Sequence, residues 1–307
     1  MHVFCMKFGR LENIDGVDFG LPADHAGIKK VLGGARSEKT EAYVGTVVWA
    51  DENLARKIYP DKAGSKNFVK YYGRQFNTIE LNATHYRVPD RETVKRWAEA
   101  VPVDFKFCPK VHESISHTQN ISQSIELAQR FNETIQFFGN KLGTSFLQLA
   151  PSFNTKGLSY LLDFLDGNPI RKLAIELRHE SWFEAGSEEL KVLCNYLYKN
   201  NISLVITDVA GRRDVLHQRL TNKTAFVRFV ANDLHSTDYV RLNEWVQRIH
   251  EWILLGLEEF YFFIHSPDKG LTPELAVYFI NRLNKVTGLK IKPPKIKTNE
   301  GSQLDML

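Results

Sequence analysis

Eight short β-rich runs alternate with amphipathic stretches along most of this chain, and this alternation constrains its fold more than any other feature. Most runs are apolar on both faces, as expected of strands buried between a core and a helical layer. The runs are Tyr43–Trp49, Thr78–Asn82, Phe105–Pro109, Ser145–Leu149, Leu173–Leu177, Ser203–Thr207, Ala225–Phe229 and Phe260–Ile264. Such an alternation is typical of α/β domains with a parallel sheet.

The stretches between the runs repeat apolar residues with helical spacing. Phe68, Tyr71, Tyr72 and Phe76 follow this spacing after the first run, and later stretches show the same pattern. Eight strands, their helical connections and a last helix over residues 273–286 predict a single TIM-type (β/α)8 barrel. A doubly wound open sheet has the same local pattern and is the alternative.

The regular pattern divides the 307 residues into three parts. Residues 1–42 are irregular and turn-rich, and we expect them to form an extension that covers one end of the barrel. Residues 43–288 form the predicted barrel domain, close to the roughly 250 residues such a barrel needs. Residues 289–307 contain a cluster of lysines and predict a basic, flexible tail.

Composition favours a cytoplasmic protein with no structural metal. No window reaches the 18 or more consecutive apolar residues of a membrane span, so no membrane association is expected. Cys5, Cys108 and Cys194 are too scattered for a disulfide framework or a metal knuckle, and we predict no cofactor. The formal net charge of +4 is accounted for by the lysines of the tail, so the charge does not imply a basic nucleic-acid surface.

Polar side chains recur where successive runs end, which is where TIM barrels carry their active sites. Because a buried polar group without a partner costs about 1–3 kcal/mol, so many at one rim indicate a bonded network or a ligand site. Permanent pairs, such as Glu80 with Arg228 or Glu176 with Lys110, are the structural alternative. The candidate site residues are Glu80, Asn82, Tyr86, Lys110, Gln148, Glu176, Arg178, Trp182, Asp208, Arg228 and His265.

Several of these residues lie in segments that resemble a known family. The segments are Tyr43–Thr46 with Trp49, Phe76–Thr84 with Tyr86, Phe105–Lys110, Leu147–Leu149 with Pro151, Glu176–His179 with Trp182, and Phe226–Arg228. In content and order they are similar to the YecE-like family, known as domain-of-unknown-function family 72. The resemblance implies a TIM barrel in a bacterial cytoplasmic protein. Because no activity is established for the family, it assigns no catalytic role.

The chain departs from the family pattern at two places. His85 stands where the family usually has phenylalanine before Tyr86. His265 stands after the last strand, where the family often has paired asparagines, and it adds acid/base or ligand capacity.

The first functional hypothesis is binding or turnover of a phosphorylated or otherwise anionic small molecule without a metal. Lys110, Arg178 and Arg228 would hold the anion, because cationic forks suit oxyanions. Glu80 and Glu176 would divide the acid and base roles if their environments separate their pKa values. Tyr86 and His265 are the further catalytic candidates, and Asn82, Gln148, Trp182 and Asp208 complete the substrate-binding set.

Two alternatives use the same rim. The first is a metal-dependent phosphodiesterase acting on nucleic acid, with Glu80, Glu176, Asp208, His112 and His265 as the available metal ligands. It is less favoured because cationic residues would compete with a metal. The second is a non-catalytic protein that binds a small ligand in the same pocket, with Trp182 stacking on it.

Overall fold

The computed structural model describes Gly9 and residues 11–297. The strands β1 to β8 are, in order, Glu41–Thr46, Thr78–Leu81, Lys106–Pro109, Ser145–Gln148, Leu173–Glu176, Ser203–Asp208, Thr224–Val230 and Glu259–His265. The helices α1 to α11 are Ile28–Leu32, Glu52–Ile58, Phe68–Gln75, Ala83–Tyr86, Arg91–Ala100, Glu113–Ser116, Ile125–Ile135, Leu158–Gly167, Glu188–Lys199, Ser236–Leu255 and Thr272–Thr287. Strands and helices thus alternate from β1 to α11, as the sequence pattern predicts.

The strands close into a barrel. Their order is β3-β2-β1-β8-β7-β6-β5-β4, and the paired neighbours run parallel. Parallel bridges from Phe107 to Leu142 and from Lys110 to Phe146 join β3 to β4 and close the circle. The predicted (β/α)8 barrel is confirmed, and the open sheet is excluded.

Alternate residues of each strand face the barrel interior, as the two-residue period of a strand requires. The central layer of the interior is a separate apolar cluster of Tyr43, Cys108, Phe146, Ala174, Val205, Phe226, Tyr261 and Phe263. The intervening residues face the helices and belong to the larger core, which lies between the strands of the barrel and the surrounding helices. The cluster fills the barrel and supports the polar residues that come two positions later on the same strands.

Helix α10 shows how local sequence sets the element boundaries. It begins after His235, whose Nδ1 accepts the backbone N–H of Thr237 at 3.3 Å. It ends at Gly256, which has a φ of 115°. A Cβ at Gly256 would lie 2.2 Å from the carbonyl oxygen of Leu32, so glycine is required there for both reasons.

The N-terminal extension contacts the loop after β6, helix α10 and the opposite end of the barrel. The carbonyl oxygen of Gly9 accepts the N–H of Gly211, in the loop after β6. Further along, Asp24 accepts hydrogen bonds from Arg248 and Trp252 of α10. Residues 35–39 then line a cavity of about 710 Å³ at the opposite end, beside the first residues of β5, β6 and β7. The extension is therefore attached both to the helical layer and to the segment between β6 and β7.

The first part of the predicted tail is attached to the barrel rather than flexible. The backbone N–H of Lys295 donates to Gln75, and that of Lys297 donates to the carbonyl oxygen of Lys57. Residues 298–307 of the predicted tail, and Cys5, lie outside the described residues. Across residues 11–297, none of the helices is both long and apolar enough to cross a membrane.

Candidate functional site

Arg228 forms the centre of the polar cluster at the C-terminal end of the barrel. Its Nε and Nη2 donate to the two carboxylate oxygens of Glu80, each at 2.9 Å. Its Nη1 lies 2.9 Å from both carboxylate oxygens of Glu176. The three side chains are buried. The expected pair of Glu80 with Arg228 is confirmed, whereas Glu176 pairs with Arg228 rather than with Lys110.

This arrangement keeps both carboxylates ionised. Burial alone would raise the pKa of each, but the guanidinium of Arg228 overrides it and holds the pKa of Glu80 well below its usual range. The same guanidinium, with Arg178 beside it, lowers the pKa of Glu176. Both shifts have the same sign, and the division of acid and base roles between these two carboxylates stays a prediction.

Lys110 and Arg178 converge on one neutral oxygen. Lys110 Nζ donates to Gln148 Oε1 at 2.8 Å, and Arg178 Nη1 approaches the same oxygen at 3.4 Å. Gln148 Nε2 donates to Glu176 Oε2 at 2.8 Å, so the amide orientation is fixed by the carboxylate. Two buried cations thus share an uncharged acceptor, while Arg228 binds the carboxylates.

His265, Asn82 and Thr207 complete the network. His265 Nε2 lies 3.0 Å from Glu80 Oε2, and Asn82 Nδ2 donates to Glu80 Oε1 at 2.9 Å. Burial and the charge of Arg228 lower the pKa of His265 against the opposing effect of Glu80, so the imidazole is neutral at pH 7. Thr207 donates to Glu176 Oε1 at 2.9 Å. The sequence analysis missed Thr207, although it lies two residues after the inward-facing Val205 and so has the inward position on β6.

Asp208, in contrast, does not belong to the cluster, and its expected place there is wrong. It comes one residue after Thr207, so its side chain faces the helices. Its Oδ2 accepts from Trp245 Nε1 at 2.8 Å, and its Oδ1 pairs with Arg241 at 2.8 Å. Arg213 also donates to Asp208. The carboxylate therefore links the end of β6 to α10 and to the loop that follows β6.

The two aromatic candidates lie apart from the cluster. Trp182 is 0% exposed, stacks on Phe153 and donates its indole N–H to the carbonyl oxygen of Phe153 at 2.9 Å. It is a core residue and offers no free face for a ligand. Tyr86 is 60% exposed and contacts the ring of His85 at the rim of the barrel.

Two histidines in the segments that follow β2 and β3 contact each other. His85 is buried, and its Nδ1 lies 2.8 Å from the carbonyl oxygen of Val111. Its ring contacts that of His117, with centroids 5.1 Å apart. Burial, followed by the charge of Lys110, lowers the pKa of both imidazoles, that of His85 to about 3.

The metal ligands suggested for a phosphodiesterase do not come together as a set. Asp208 faces the helices, and His112 is bonded to Ser114 as the cap of α6. Arg228 lies between Glu80 and Glu176 and binds their oxygens. Among Gly9 and residues 11–297, no group of three or more His, Cys, Asp or Glu side chains is arranged to hold a metal ion.

Comparison with known proteins identifies the family. The family model described as "Protein of unknown function DUF72" matches residues 43–299. The chain belongs to this family. The UPF0759 protein YecE of Escherichia coli (strain K12) is 30% identical over 227 residues, which cover 68% of this chain and 82% of that protein. The UPF0759 protein YunF of Bacillus subtilis (strain 168) is 26% identical over 149 residues, 46% of this chain and 52% of that protein.

Solved structures of the same family share the fold. A DUF72 family protein from Thermotoga maritima MSB8 superimposes with a TM-score of 0.60 at 23% identity, covering 80% of this chain and 99% of that one. A DUF72 family protein from Enterococcus faecalis V583 gives 0.60 at 19% identity, covering 84% and 100%. The resemblance seen in the sequence motifs is thereby confirmed, and the fold is common to these relatives.

Proposed function

We propose that this protein binds a small molecule carrying a phosphate or carboxylate group at the mouth of the barrel, and that Lys110 and Arg178 hold that group. The observation that carries the proposal is their convergence on the neutral oxygen of Gln148. An oxyanion in the same place would accept charge-assisted hydrogen bonds from both cations, which are stronger than bonds to an amide oxygen.

The charges of the cluster support an anionic ligand. Arg228 binds both carboxylates of the network, Glu80 and Glu176, and Lys110 and Arg178 bring two further cations to the same end of the barrel. Burial, followed by the charge of Arg228, lowers the pKa of Lys110 to about 8, so the charged form of this amine is disfavoured in the cluster. A buried charge in such a position is costly, and a bound anion would offset that cost.

The remaining residues suggest how the ligand would be oriented and turned over. Gln148 and Asn82 present amide groups beside the carboxylates and are suited to orient a substrate. Metal-independent acid/base chemistry, if the protein is an enzyme, falls to Lys110 and His265 rather than to the ionised Glu80 and Glu176. We also propose a bacterial cytoplasmic location. The non-catalytic alternative belongs to the same proposal, because turnover and simple binding both begin with binding of the anion.

Calorimetric titration of the purified protein with inorganic phosphate and with pyruvate tests the proposal. We expect saturable binding of one of these anions, and a loss of at least tenfold in affinity in Lys110→Met and in Arg178→Met. Tenfold corresponds to about 1.4 kcal/mol, a modest value for a buried charge-assisted bond. The matched control is Lys106→Met, which removes a lysine of the same strand whose Nζ donates to Asn140 at the other end.

The proposal is wrong if the wild-type protein binds neither anion at millimolar concentration, in which case the cluster is a structural plug. It is also wrong if both variants, folded by circular dichroism, bind as tightly as the Lys106→Met control.

A further inference from the structure

Lys110 has the surroundings of a reactive amine. It follows β3 directly, its side chain is 2% exposed, and its backbone is fixed by the bridge to Phe146. Thr84 donates its hydroxyl to the carbonyl oxygen of Lys110 at 2.7 Å. The amine therefore projects from a rigid position at the end of the barrel where active sites of this fold lie.

The charges around Lys110 favour the neutral amine. Arg178 shares its acceptor, and burial followed by the charge of Arg228 lowers the pKa of Lys110 to about 8. In about a tenth of the molecules the Lys110 amine is then neutral at pH 7, whereas for an ordinary lysine the neutral fraction is well under a thousandth. Desolvation beside another cation is a known way of activating a lysine as a nucleophile toward carbonyl compounds.

We infer that Lys110 forms a Schiff base with a carbonyl compound that carries a carboxylate or phosphate, and that Arg178 holds the anionic group. The inference rests on the proposed function, since the same anion site would bring the carbonyl carbon to the amine. Arg178 and His265 are buried, with 6% and 8% exposure, and are slightly more exposed than Lys110 at 2%.

The reaction balances without an oxidant or a reductant. The Lys110 ammonium first gives a proton to a neutral imidazole. The neutral Nζ then forms a bond to the carbonyl carbon, the carbonyl π bond breaks, and a proton passes from the nitrogen to the oxygen to give a neutral carbinolamine. The proton held by the imidazolium converts that hydroxyl into the leaving water, and the nitrogen lone pair forms the C=N bond of an iminium ion. The sum is lysine ammonium plus carbonyl compound giving iminium plus water, with the charge unchanged.

Neutral imidazoles are present to move these protons. His85 donates Nδ1–H to the carbonyl oxygen of Val111, so its Nε2 carries a lone pair. His117 pairs its Nδ1 with the hydroxyl of Ser116 at 2.8 Å. The charge of Lys110 contributes to keeping both rings neutral, which places them in its immediate electrostatic environment. The iminium would keep the positive charge of the ammonium and so leave the balance with Glu80 and Glu176 unchanged.

Trapping with sodium borohydride tests the inference. The full-length protein is incubated with pyruvate, with dihydroxyacetone phosphate, and with acetone as an uncharged control, then reduced, digested and mapped by mass spectrometry. We expect the reduced adduct of one anionic probe on Lys110 at a level at least tenfold above that on any other lysine. Acetone should label Lys110 no more than it labels the surface lysines.

Lys110→Arg tests the inference, because it keeps the charge and removes the amine. We expect it to lose the adduct, while Lys106→Arg on the same strand keeps it. Anion binding by the wild-type protein, measured by calorimetry, tests the proposed function separately. Peptide mapping of the wild-type protein gives the answer even if Lys110→Arg does not fold.

Each result decides a different point. Saturable anion binding with no preferential adduct on Lys110 overturns the Schiff base and leaves the proposed function standing. Absence of anion binding overturns the proposed function. If acetone then labels Lys110 as strongly as the anionic probes do, the amine is reactive without an anion site, and the inference is overturned.

Discussion

At the scale of single residues, the three cations at the barrel mouth have different partners. The planar guanidinium of Arg228 binds two carboxylates through different N–H groups along its edge, a geometry that suits arginine and not lysine. Lys110 and Arg178 instead meet on the amide of Gln148. We therefore expect Arg228 to hold the end of the barrel together, and the other two cations to respond to ligands.

Replacing Arg228 by Met should destabilise the fold, because it leaves Glu80 and Glu176 buried without their counterion. Removing one partner of a buried ion pair costs about 3–5 kcal/mol, and we expect a loss of that size in the free energy of unfolding. Urea denaturation followed by circular dichroism measures it, with Arg178→Met as the control. An Arg228→Met protein that is as stable as wild type but has lost anion binding would instead make Arg228 the ligand-binding residue.

The residues of the cluster were predictable from the sequence only where strand periodicity decided them. Glu80, Gln148, Glu176 and Arg228 lie at inward positions, and their strand-end locations identified them correctly. Asp208 was misplaced by one residue, because the period of two that puts Val205 inside also puts Thr207 inside and Asp208 outside. Which cation each carboxylate binds depends on side-chain geometry across the barrel, and no local pattern carries that information.

At the scale of elements, Asp208 and Arg241 join the inner sheet to the outer helices. Arg241 lies on α10, and its Nη2 donates to the backbone oxygen of Asp208 at 2.9 Å, while its Nη1 donates to that of Val230 at 3.0 Å. Its guanidinium also lies 4.2 Å from the ring centroid of Phe229. Arg241 thus connects α10 to the ends of β6 and β7 at one buried point.

Asp208→Asn should weaken this attachment and leave the ligand site intact. The variant keeps the shape of the side chain but removes the negative charge from buried Arg241, so we expect a loss of about 3 kcal/mol in the free energy of unfolding. Asp214→Asn, which removes the exposed carboxylate bonded to Arg212, is the control and should change stability much less. Anion binding measured by calorimetry should match wild type in both. A selective loss of binding in Asp208→Asn would restore Asp208 to the substrate-binding set.

At the scale of the whole molecule, the barrel was predictable because its signal is repeated eight times. Each buried strand is short and apolar, each is followed by a helical stretch, and errors of one or two residues at the boundaries do not change the count. The path of the extension was not predictable, since contacts such as that of Asp24 with Arg248 and Trp252 join positions more than 200 residues apart. The attachment of Lys295 and Lys297 to the barrel was hidden for the same reason.

The fold also buries neutral histidines at separate places, which couples its stability to pH. His217 Nε2 donates to the carbonyl oxygen of Val205 at 3.1 Å, and its Nδ1 accepts the backbone N–H of Arg219 at 3.2 Å. Both ring nitrogens are thus satisfied in the neutral form, and burial lowers the pKa of His217 to about 4. His85, bonded to Val111, has its pKa lowered to about 3.

Stability should therefore fall as the pH drops from about 6.5 toward 4, before the carboxylates are protonated. In that interval the unfolded chain binds protons at both histidines, whose unperturbed pKa is about 6.5, while the folded chain does not, so acid favours unfolding. For His217 alone the loss between pH 7 and pH 5 is about 2 kcal/mol by linkage. Urea unfolding at half-unit pH steps measures how the free energy of unfolding changes with pH. His217→Gln should reduce the loss between pH 7 and pH 5 by that amount, whatever the stability of the variant at pH 7. A slope unchanged by His217→Gln would show that this histidine is protonated in the folded state.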